Sequence, residues 1–304
     1  MARILRGARD PPGGARLAGR AQSLAGDAER RARRAGAARL RYQLLPVPPE
    51  LLAETVRGLP GAGFRGANVT IPHKEAALAL ADEATPRARA IGAANTLSFG
   101  PDGAISADNT DAPGLTAALG FDPAGMDALV LGAGGSARAV IWALLDAGAS
   151  VSVWNRTPER AEQVAKGLGA RAVRLDDSSA GRGPQNERLS AAGSVLVNCT
   201  SVGLDDSSQT FKDLPVKADH LSTYTCVVDL VYRSPETALL QAARQQGCSV
   251  VDGLDVLVNQ GALSLQSWTG LQPDLREMHK AARDDDEPRT SERPAHQRGG
   301  AAQP

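Results

Sequence analysis

The sequence predicts an α/β fold with a parallel sheet, and three observations lead to this prediction. Apolar runs typical of buried strands alternate with helix-like segments through the middle of the chain. A glycine-rich turn follows one of these runs and precedes a helical pattern. The length of 304 residues and the hydrophobic content of 42% favour two domains, each with a core of its own.

The glycine-rich turn is the feature around which the rest of the prediction is built. Residues 129–131 form an apolar strand pattern, residues 132–137 turn out of it, and a helical pattern then runs towards Gly148. A second strand pattern at 151–154 would lie parallel to the first. Such a unit can place a pyrophosphate on a helix N-terminus, which indicates a Rossmann-like nucleotide-binding domain. The alternative is a tight turn that binds nothing.

The end of the second strand indicates which dinucleotide would bind. NAD enzymes usually carry an acidic residue there for the ribose hydroxyls, but this chain has Asn155, Arg156 and Thr157. A guanidinium can pair with a 2′-phosphate, which a carboxylate would repel. These residues therefore favour NADP, and the alternative is that Arg156 is a solvated surface charge.

The remaining patterns place helices and strands along the chain. In the first half we expect strand 42–47, a helix opened by Pro49, a strand within 64–70, helix 74–84, a hairpin of 95–99 with 105–107, and helix 113–119. In the second half we expect helix 158–167, strand 172–174, a polar loop at 176–190, strands 195–198 and 226–230, helix 235–246, strand 248–252 and a final helix at 254–269. The alternation in the second half implies a parallel sheet.

Both ends of the chain differ in composition from its middle. Residues 1–41 contain eleven Arg, no Lys and three acids, and residues 283–304 are charged and rich in Pro, Gly and Gln, which predicts a disordered tail. A basic disordered arm, a loose Ala/Arg helix and a targeting peptide are three interpretations of residues 1–41, although no apolar stretch supports targeting. A fourth hypothesis is that part of this segment is translated out of frame, because GC-rich codons give Arg, Ala and Gly in any frame.

The composition as a whole argues against several kinds of partner. Lys plus Arg equals Asp plus Glu, at 34 each, so no global charge points to nucleic acid or membrane. Aromatic residues make up 3%, too few for base-stacking platforms, and no apolar run approaches the roughly 20 residues that span a bilayer. Cys199, Cys226 and Cys248 are an odd number without metal-ligand spacing, so we expect reduced thiols in a cytoplasmic protein.

Lys74 and Asp111 are the residues most suited to proton transfer. Lys74 follows the polar strand end at 68–73 and opens a predicted helix, where the helix dipole disfavours a positive charge. Such a placement indicates a role in exchanging a proton with a substrate hydroxyl, helped by a neighbouring carboxylate. Asp111 lies where the chain crosses between the two predicted domains and is the best candidate for that carboxylate. The alternatives are a solvated Lys74 and an Asp111 that caps the helix at Pro113.

Two further polar residues need an interpretation. His73 resembles a catalyst, but the proline turn and Lys74 explain its segment, and none of the four histidines has a metal-ligand spacing. Gln260 lies about two helical turns beyond Gly253, far enough along the final helix to face a cleft. By itself, this pattern leaves a surface amide equally open.

Taken together, these motifs resemble the shikimate dehydrogenase family. The resemblance runs from about Leu40 to Gly270 and rests on eight separate blocks in a fixed order. The blocks are 68–74, 92–96, 109–111, 132–137, 155–157, 198–203, 229–232 and 252–260. This order and spacing are specific to the family.

The resemblance implies NADP-dependent, reversible reduction of 3-dehydroshikimate to shikimate in aromatic amino-acid biosynthesis, without a metal. It implies a substrate-binding domain at 42–111 and 253–282, an NADP-binding domain at 112–252, and a monomer or homodimer. Lys74 would be the proton-exchanging residue and Asp111 its partner and a substrate ligand. Further substrate ligands would be Thr70, Asn95, Tyr232 and Gln260. The cofactor ligands would be Gly132, Ala133, Gly134, Gly135 and Ser136 for the pyrophosphate, Asn155, Arg156, Thr157 and Arg160 for the adenosine phosphate, and Leu230 and Gly253 for the nicotinamide side.

The chain departs from the family pattern at two places. Family members begin with a buried strand and a Ser-x-Ser-Pro segment that binds the substrate carboxylate, whereas this chain has only Ser23 near that place. A one-base shift through plausible codons for residues 25–30 gives the family-like Ser-Pro-Ala-Met-Gln-Asn, which agrees with the frame hypothesis. The family usually has Gly and Met at two positions next to the nicotinamide side, where this chain has Asp255 and Val256. We expect these two residues to position the cofactor less firmly. Two alternatives therefore stay open: an NADP-binding protein without turnover, and an enzyme that prefers quinate or another cyclic polyol.

Overall fold

The computed structural model describes residues 42–174, 193–233 and 235–284. These residues form an α/β fold around two separate sheets, which confirms the predicted fold class. The segment 1–41, the predicted loop at 176–190 and residues 285–304 of the predicted tail lie outside the described ranges. Within those ranges, no helix combines the length and apolar character needed to cross a bilayer.

The first sheet is small and mixed. Its elements are α1 (Leu52–Gly58), β1 (Gly66–Asn68), α2 (Lys74–Ala79), β2 (Glu83–Ala84), α3 (Pro86–Ile91), β3 (Thr96–Phe99) and β4 (Ile105–Asp108), with a 3₁₀ turn at Pro49–Leu51 before α1. The strand order is β1-β3-β4-β2. Strands β3 and β4 pair antiparallel with Leu97 opposite Ala107, which confirms the predicted hairpin. Val56, Leu97 and Ala107 belong to the buried cluster beneath this sheet.

The second sheet has six parallel strands. Its elements are β5 (Asp127–Leu131), α5 (Gly135–Asp146), β6 (Ser150–Trp154), α6 (Pro158–Leu168), β7 (Arg171–Ala172), β8 (Ser194–Asn198), α7 (Thr210–Asp213), β9 (Cys226–Asp229), α8 (Ala238–Gln245) and β10 (Ser249–Asp252), reached from the first sheet through α4 (Asp111–Leu119). The strand order β10-β9-β8-β5-β6-β7 is that of a Rossmann sheet. All residues of β5 and β8 are buried, as expected for strands covered by helices on both faces.

Helix α9 (Gly253–Thr269) returns from the second sheet to cover the first. Trp268 on this helix donates a hydrogen bond from its indole Nε1 to the Leu97 carbonyl of β3, at 3.0 Å. Helix α9 also packs closely against α4, because a Cβ on Gly114 would lie 2.8 Å from the Gln260 Cβ. Residues far apart in the sequence therefore meet between the sheets.

Three of the predicted elements are corrected by the structure. The expected strand 42–47 makes only a single bridge, at Leu44, because Pro46 lacks the N–H that a strand needs. Helix α2 ends at Ala79 instead of residue 84, since Glu83 and Ala84 pair with β4. The helix predicted from residue 113 begins at Asp111.

A further helix, α10 (Leu275–Asp284), follows the helix that the sequence predicts to be last. Asp274 opens it by accepting a hydrogen bond from the Arg276 backbone N–H at 2.9 Å. Met278 and Ala282, four residues apart, bury their side chains against Leu254 and Val258 of α9. Helix α10 therefore extends two residues into the predicted tail.

The carboxylate of Asp229, at the end of β9, is fully enclosed by protein. It accepts hydrogen bonds from Asn198 Nδ2 at 2.9 Å, Thr237 Oγ1 at 2.7 Å and the Val231 backbone N–H at 3.1 Å. These donors favour the charged form, but burial outweighs them and raises the pKa of Asp229 to about 7. The carboxylate ties the ends of two parallel strands to α8.

We expect Asp229 to stabilise the folded protein less and less as the pH rises from about 4 to about 7. Its folded-state pKa of about 7 lies above the value in an unfolded chain, so the folded protein binds more protons across this window. Urea unfolding of the wild type and Asp229→Asn should show the wild type losing roughly 2–4 kcal/mol relative to the variant across it. A difference between the two proteins that does not change with pH would contradict this expectation.

Candidate functional site

Lys74 is delivered to the space between the two sheets by the turn after β1. The Ile71–Pro72 peptide is cis, and Lys74 is the first residue of α2, as predicted. Its side chain is buried, with 8% of the residue exposed. His73 is also buried, and its Nε2 lies 2.9 Å from the Val47 carbonyl, which gives this histidine a structural role. Thr70 lies exposed two residues after the strand.

Lys74 and Asp111 form the ion pair that the sequence predicts. The Lys74 Nζ lies 2.6 Å from Asp111 Oδ2, and the two side chains are only 9% and 15% exposed. Helix capping, the alternative role for Asp111, falls to Asn109, whose Oδ1 accepts from the backbone N–H groups of Asp111 and Ala112. Asp111 is thus the first residue of α4, where the helix dipole favours a carboxylate.

Asn95 joins this ion pair to the C-terminal helix. Its Nδ2 donates to the second oxygen of Asp111, Oδ1, at 2.8 Å and to Gln260 Oε1 at 3.0 Å. The same amide reaches Thr110 Oγ1 at 2.9 Å, so three acceptors share its two hydrogens. Gln260 therefore points into the cleft, which the sequence alone left open. The structure brings Lys74, Asp111, Asn95 and Gln260 together in one connected group.

A buried group of side chains supports these residues from below, and sequence analysis did not identify it. Ser264 is fully buried, and its Oγ lies 2.8 Å from Thr96 Oγ1, 3.1 Å from Thr110 Oγ1 and 2.8 Å from Asn68 Nδ2. The one available signal was its spacing, since Ser264 lies four residues after Gln260 and so on the same helix face. This buried group fixes the rotamers of the residues above it.

Tyr42 contacts the amide oxygen of Asn68 and lies near a second tyrosine, Tyr232. Tyr42 donates a hydrogen bond to Asn68 Oδ1 at 3.0 Å. Burial, with a smaller contribution from the Tyr232 phenol, raises the pKa of Tyr42 above its ordinary value. Tyr232 is half-buried and packs against the cluster that contains Leu254 and Val258. The predicted ligand Tyr232 thus lies near a second phenol, that of Tyr42, which the sequence did not single out.

The glycine-rich turn faces the ion pair across the cleft. Gly132 has a φ of +115°, and a Cβ there would lie 3.2 Å from the Cys199 backbone, so only glycine fits. Gly134 is exposed, and a Cβ on it would meet nothing within 4 Å. Gly135 begins the twelve-residue helix α5, and a Cβ on it would lie 2.7 Å from the Lys74 Cβ. The turn leaves a helix N-terminus open to an anion beside Lys74.

The residues expected at the adenosine end lie together at the end of β6. Arg156, Thr157 and Arg160 are exposed, and Asn155 Nδ2 donates to the Thr157 carbonyl at 3.0 Å. Thr157 occupies the N-cap of α6 without a side-chain capping bond, so its hydroxyl is not used by the helix. Two guanidinium groups and a hydroxyl at a helix N-terminus suit a phosphate. No carboxylate lies in the 155–157 turn, which fits the preference for NADP.

Leu230 and Gly253, expected at the nicotinamide side, contact each other at the carboxyl ends of β9 and β10. A Cβ on Gly253 would lie 2.5 Å from the Leu230 carbonyl oxygen, so this approach requires glycine. Asp255, which we expected to disturb the cofactor, lies with its Oδ1 3.6 Å from His279 Nδ1 of α10. Its carboxylate thus lies beside α10.

Family models match three stretches of the chain. They describe a shikimate dehydrogenase substrate binding domain at residues 21–97, a shikimate / quinate 5-dehydrogenase at 117–181, and a shikimate 5′-dehydrogenase C-terminal domain at 253–283. The first match includes residues 21–41 of the Arg-rich segment.

Individual proteins match over most of their length. Shikimate dehydrogenase (NADP(+)) of Methylobacterium radiotolerans is 50% identical over 244 residues, covering 76% of this chain and 82% of that protein. The enzyme of the same name from a strain of Thermus thermophilus is 44% identical, covering 80% and 86%. The crystal structure of shikimate 5-dehydrogenase from another strain of that species, in complex with NADP(H) and shikimate, superposes with a TM-score of 0.73 at 39% identity, covering 88% of this chain and 94% of that one.

We expect Gly135→Ala to be costly and Gly134→Ala to be tolerated by the fold. The new methyl at 135 would overlap the Lys74 stem, whereas the methyl at 134 would enter open space at a backbone conformation that alanine adopts readily. Urea unfolding should show a loss of about 1–3 kcal/mol for Gly135→Ala and little change for Gly134→Ala. Equal losses in the two variants would show that the contact between Gly135 and Lys74 is unimportant.

Proposed function

Because this chain belongs to the shikimate dehydrogenase family, we propose that it catalyses the NADP-dependent, reversible reduction of 3-dehydroshikimate to shikimate. The observation that carries the proposal is the buried Lys74–Asp111 pair at 2.6 Å, which lies against the open N-terminus of α5. A buried lysine–carboxylate pair and a glycine-rich turn suited to an anion thus meet at one cleft. This combination is what a dehydrogenase of an alcohol needs.

We assign the two ligands to the two sides of this cleft. Residues 112–252 would bind NADP, with the 132–136 turn on the pyrophosphate and the 155–157 turn and Arg160 on the 2′-phosphate. Residues 42–111 and 253–282 would bind the substrate. The amide groups of Asn95 and Gln260, with the hydroxyls of Thr70 and Tyr232, would hold its hydroxyl and carboxylate groups. Leu230 and Gly253 would lie beside the nicotinamide.

The protein's part in the reaction is to hold the substrate and to move one proton. NADP held by the 132–136 and 155–157 turns would supply the hydride acceptor for shikimate oxidation and, when reduced, the hydride donor for the reverse reaction. During oxidation, the proton of the reacting shikimate hydroxyl passes to the neutral amine of Lys74. In the reverse direction, the Lys74 ammonium protonates the new alkoxide. Asp111 keeps the amine in place, since its carboxylate accepts from Lys74 through one oxygen and from Asn95 through the other.

The Arg-rich segment at 1–41 bears on whether the chain turns over substrate. We keep the proposal that part of it is out of frame, because the serines that bind the substrate carboxylate in the family are missing. The outcome of that loss would be an NADP-binding protein with weak or no turnover. Sequencing the first codons of the gene in close relatives tests the frame hypothesis, and an assay of shikimate-dependent NADP⁺ reduction tests the activity.

We expect Lys74→Ala to lower shikimate-dependent NADP⁺ reduction by about 10²–10⁴-fold. The affinity for NADPH, measured by fluorescence titration, should stay within about threefold, because the lysine exchanges a proton without holding the cofactor. Lys280→Ala, at an exposed position on α10, is the matched control.

Three results would argue against this assignment. A Lys74→Ala variant as active as the control would remove Lys74 from the mechanism. A wild type that binds NADPH without oxidising shikimate would support the inactive alternative. Faster oxidation of quinate than of shikimate in the same assay would favour the polyol alternative.

We expect Arg156→Gln to weaken NADP⁺ binding by about 10- to 100-fold, because a charge-assisted bond to the 2′-phosphate is lost. Binding of NAD⁺, which lacks that phosphate, should change little. Dissociation constants for both cofactors measured by calorimetry test this, with Arg57→Gln on α1 as a control for the loss of an exposed arginine. If Arg156→Gln keeps the wild-type preference for NADP⁺ over NAD⁺, Arg156 is the solvated surface charge of the alternative interpretation.

A further inference from the structure

Ser136 makes a contact that its expected place on the pyrophosphate does not explain. The Lys74 Nζ donates a hydrogen bond to Ser136 Oγ at 2.8 Å. Ser136 is the second residue of α5, in the second sheet's half of the molecule, whereas Lys74 begins α2 in the first. The bond therefore crosses the cleft between the proposed cofactor and substrate regions.

The bond to Ser136 fixes the orientation of the Lys74 ammonium. An ammonium has three hydrogens, and the structure assigns one to Asp111 Oδ2 at 2.6 Å and one to Ser136 Oγ at 2.8 Å. With two acceptors fixed on different elements, the third hydrogen has one direction left. Asp111 alone would let the amine rotate about the line that joins the two groups. The second acceptor, Ser136 Oγ, thus fixes the direction of the third hydrogen.

The neighbouring glycine makes this contact geometrically attainable. A Cβ on Gly135 would lie 2.7 Å from the Lys74 Cβ and 3.2 Å from its Cδ, so α5 can approach the lysine stem only because residue 135 has no side chain. The Ser136 hydroxyl then reaches the end of the same stem. Both contacts come from the first two residues of α5.

We propose that Ser136 is a positioning residue that orients the Lys74 amine towards the substrate from the cofactor side of the cleft. The proposal rests on the proposed function and adds a role that a pyrophosphate ligand would not have. Since the Ser136 oxygen accepts from Lys74, its own hydrogen remains available to an anion at the helix N-terminus. One hydroxyl thereby links the lysine to the place where the cofactor is expected to bind.

Steady-state kinetics of Ser136→Ala and Ser136→Thr test the orienting role. In the alanine variant, kcat for shikimate oxidation should fall roughly 10-fold, with the NADPH dissociation constant within about threefold, because a hydrogen bond to a charged group is lost. The solvent deuterium isotope effect on kcat should rise, since proton transfer becomes slower. Threonine keeps the hydroxyl and should restore most of kcat.

Ser150→Ala, at an exposed position that begins β6, is the control and should leave kcat and the isotope effect unchanged. An unchanged kcat in Ser136→Ala overturns the proposal. A loss of NADPH affinity at constant kcat also overturns it, because Ser136 would then contact only the phosphate.

A second measurement tests the same contact without turnover. The rate at which a small acylating reagent modifies Lys74, followed by peptide mass spectrometry, should rise several-fold in Ser136→Ala and stay at the wild-type rate in Ser136→Thr. An equal rate in all three proteins overturns the proposal. If the wild type fails to oxidise shikimate while the rates differ as expected, the proposed function fails and the orienting contact stands.

Discussion

The structure of the cleft depends on one ion pair that water barely reaches. Two charges held at 2.6 Å with little exposure attract strongly, but each has lost most of its hydration. Such a pair persists only when its remaining hydrogen-bonding groups are also satisfied. Here Asn95 and Ser136 supply the additional partners, and the N-terminus of α4 favours the carboxylate. The polar side chains around Lys74 and Asp111 are therefore a requirement of the pair itself.

Two glycines at this junction are required by their neighbours' atoms rather than by backbone conformation. A Cβ on Gly114 would meet Gln260, and a Cβ on Gly135 would meet Lys74, although neither glycine has a positive φ. Both lie where elements of the two sheets or their covering helices approach closely. At Gly135 the backbone of α5 thus lies against the Lys74 side chain, and this closeness lets the short side chain of Ser136 reach across the cleft.

Local signals explain what the sequence could predict. The alternation of apolar strands and amphipathic helices gave the parallel sheet, and a lysine in an unfavourable place at a helix start led to its carboxylate partner. The contacts of Ser264 with Thr96 and Thr110 could not be predicted, because they join residues more than 150 positions apart and each residue is ordinary by itself. The early end of α2 was missed for a similar reason, since pairing with β4 overrides a helix-favouring run of alanines. Within the site, the sequence led to Lys74 and Asp111 but left the orientation of Gln260 open, because that side chain contacts Asn95, 165 positions away.

The return of α9 onto the first sheet has a consequence for how the protein is made. Asn95 and Gln260 are 165 residues apart, so the ribosome completes the first sheet long before it synthesises the helix that covers it. A nascent chain that has reached residue 252 already contains Lys74 and Asp111 but lacks Gln260 and Ser264, which contact the neighbouring Asn95 and Thr110. Premature termination within the first turns of α9 would therefore release a polypeptide with all six strands of the second sheet and an open, incomplete cleft.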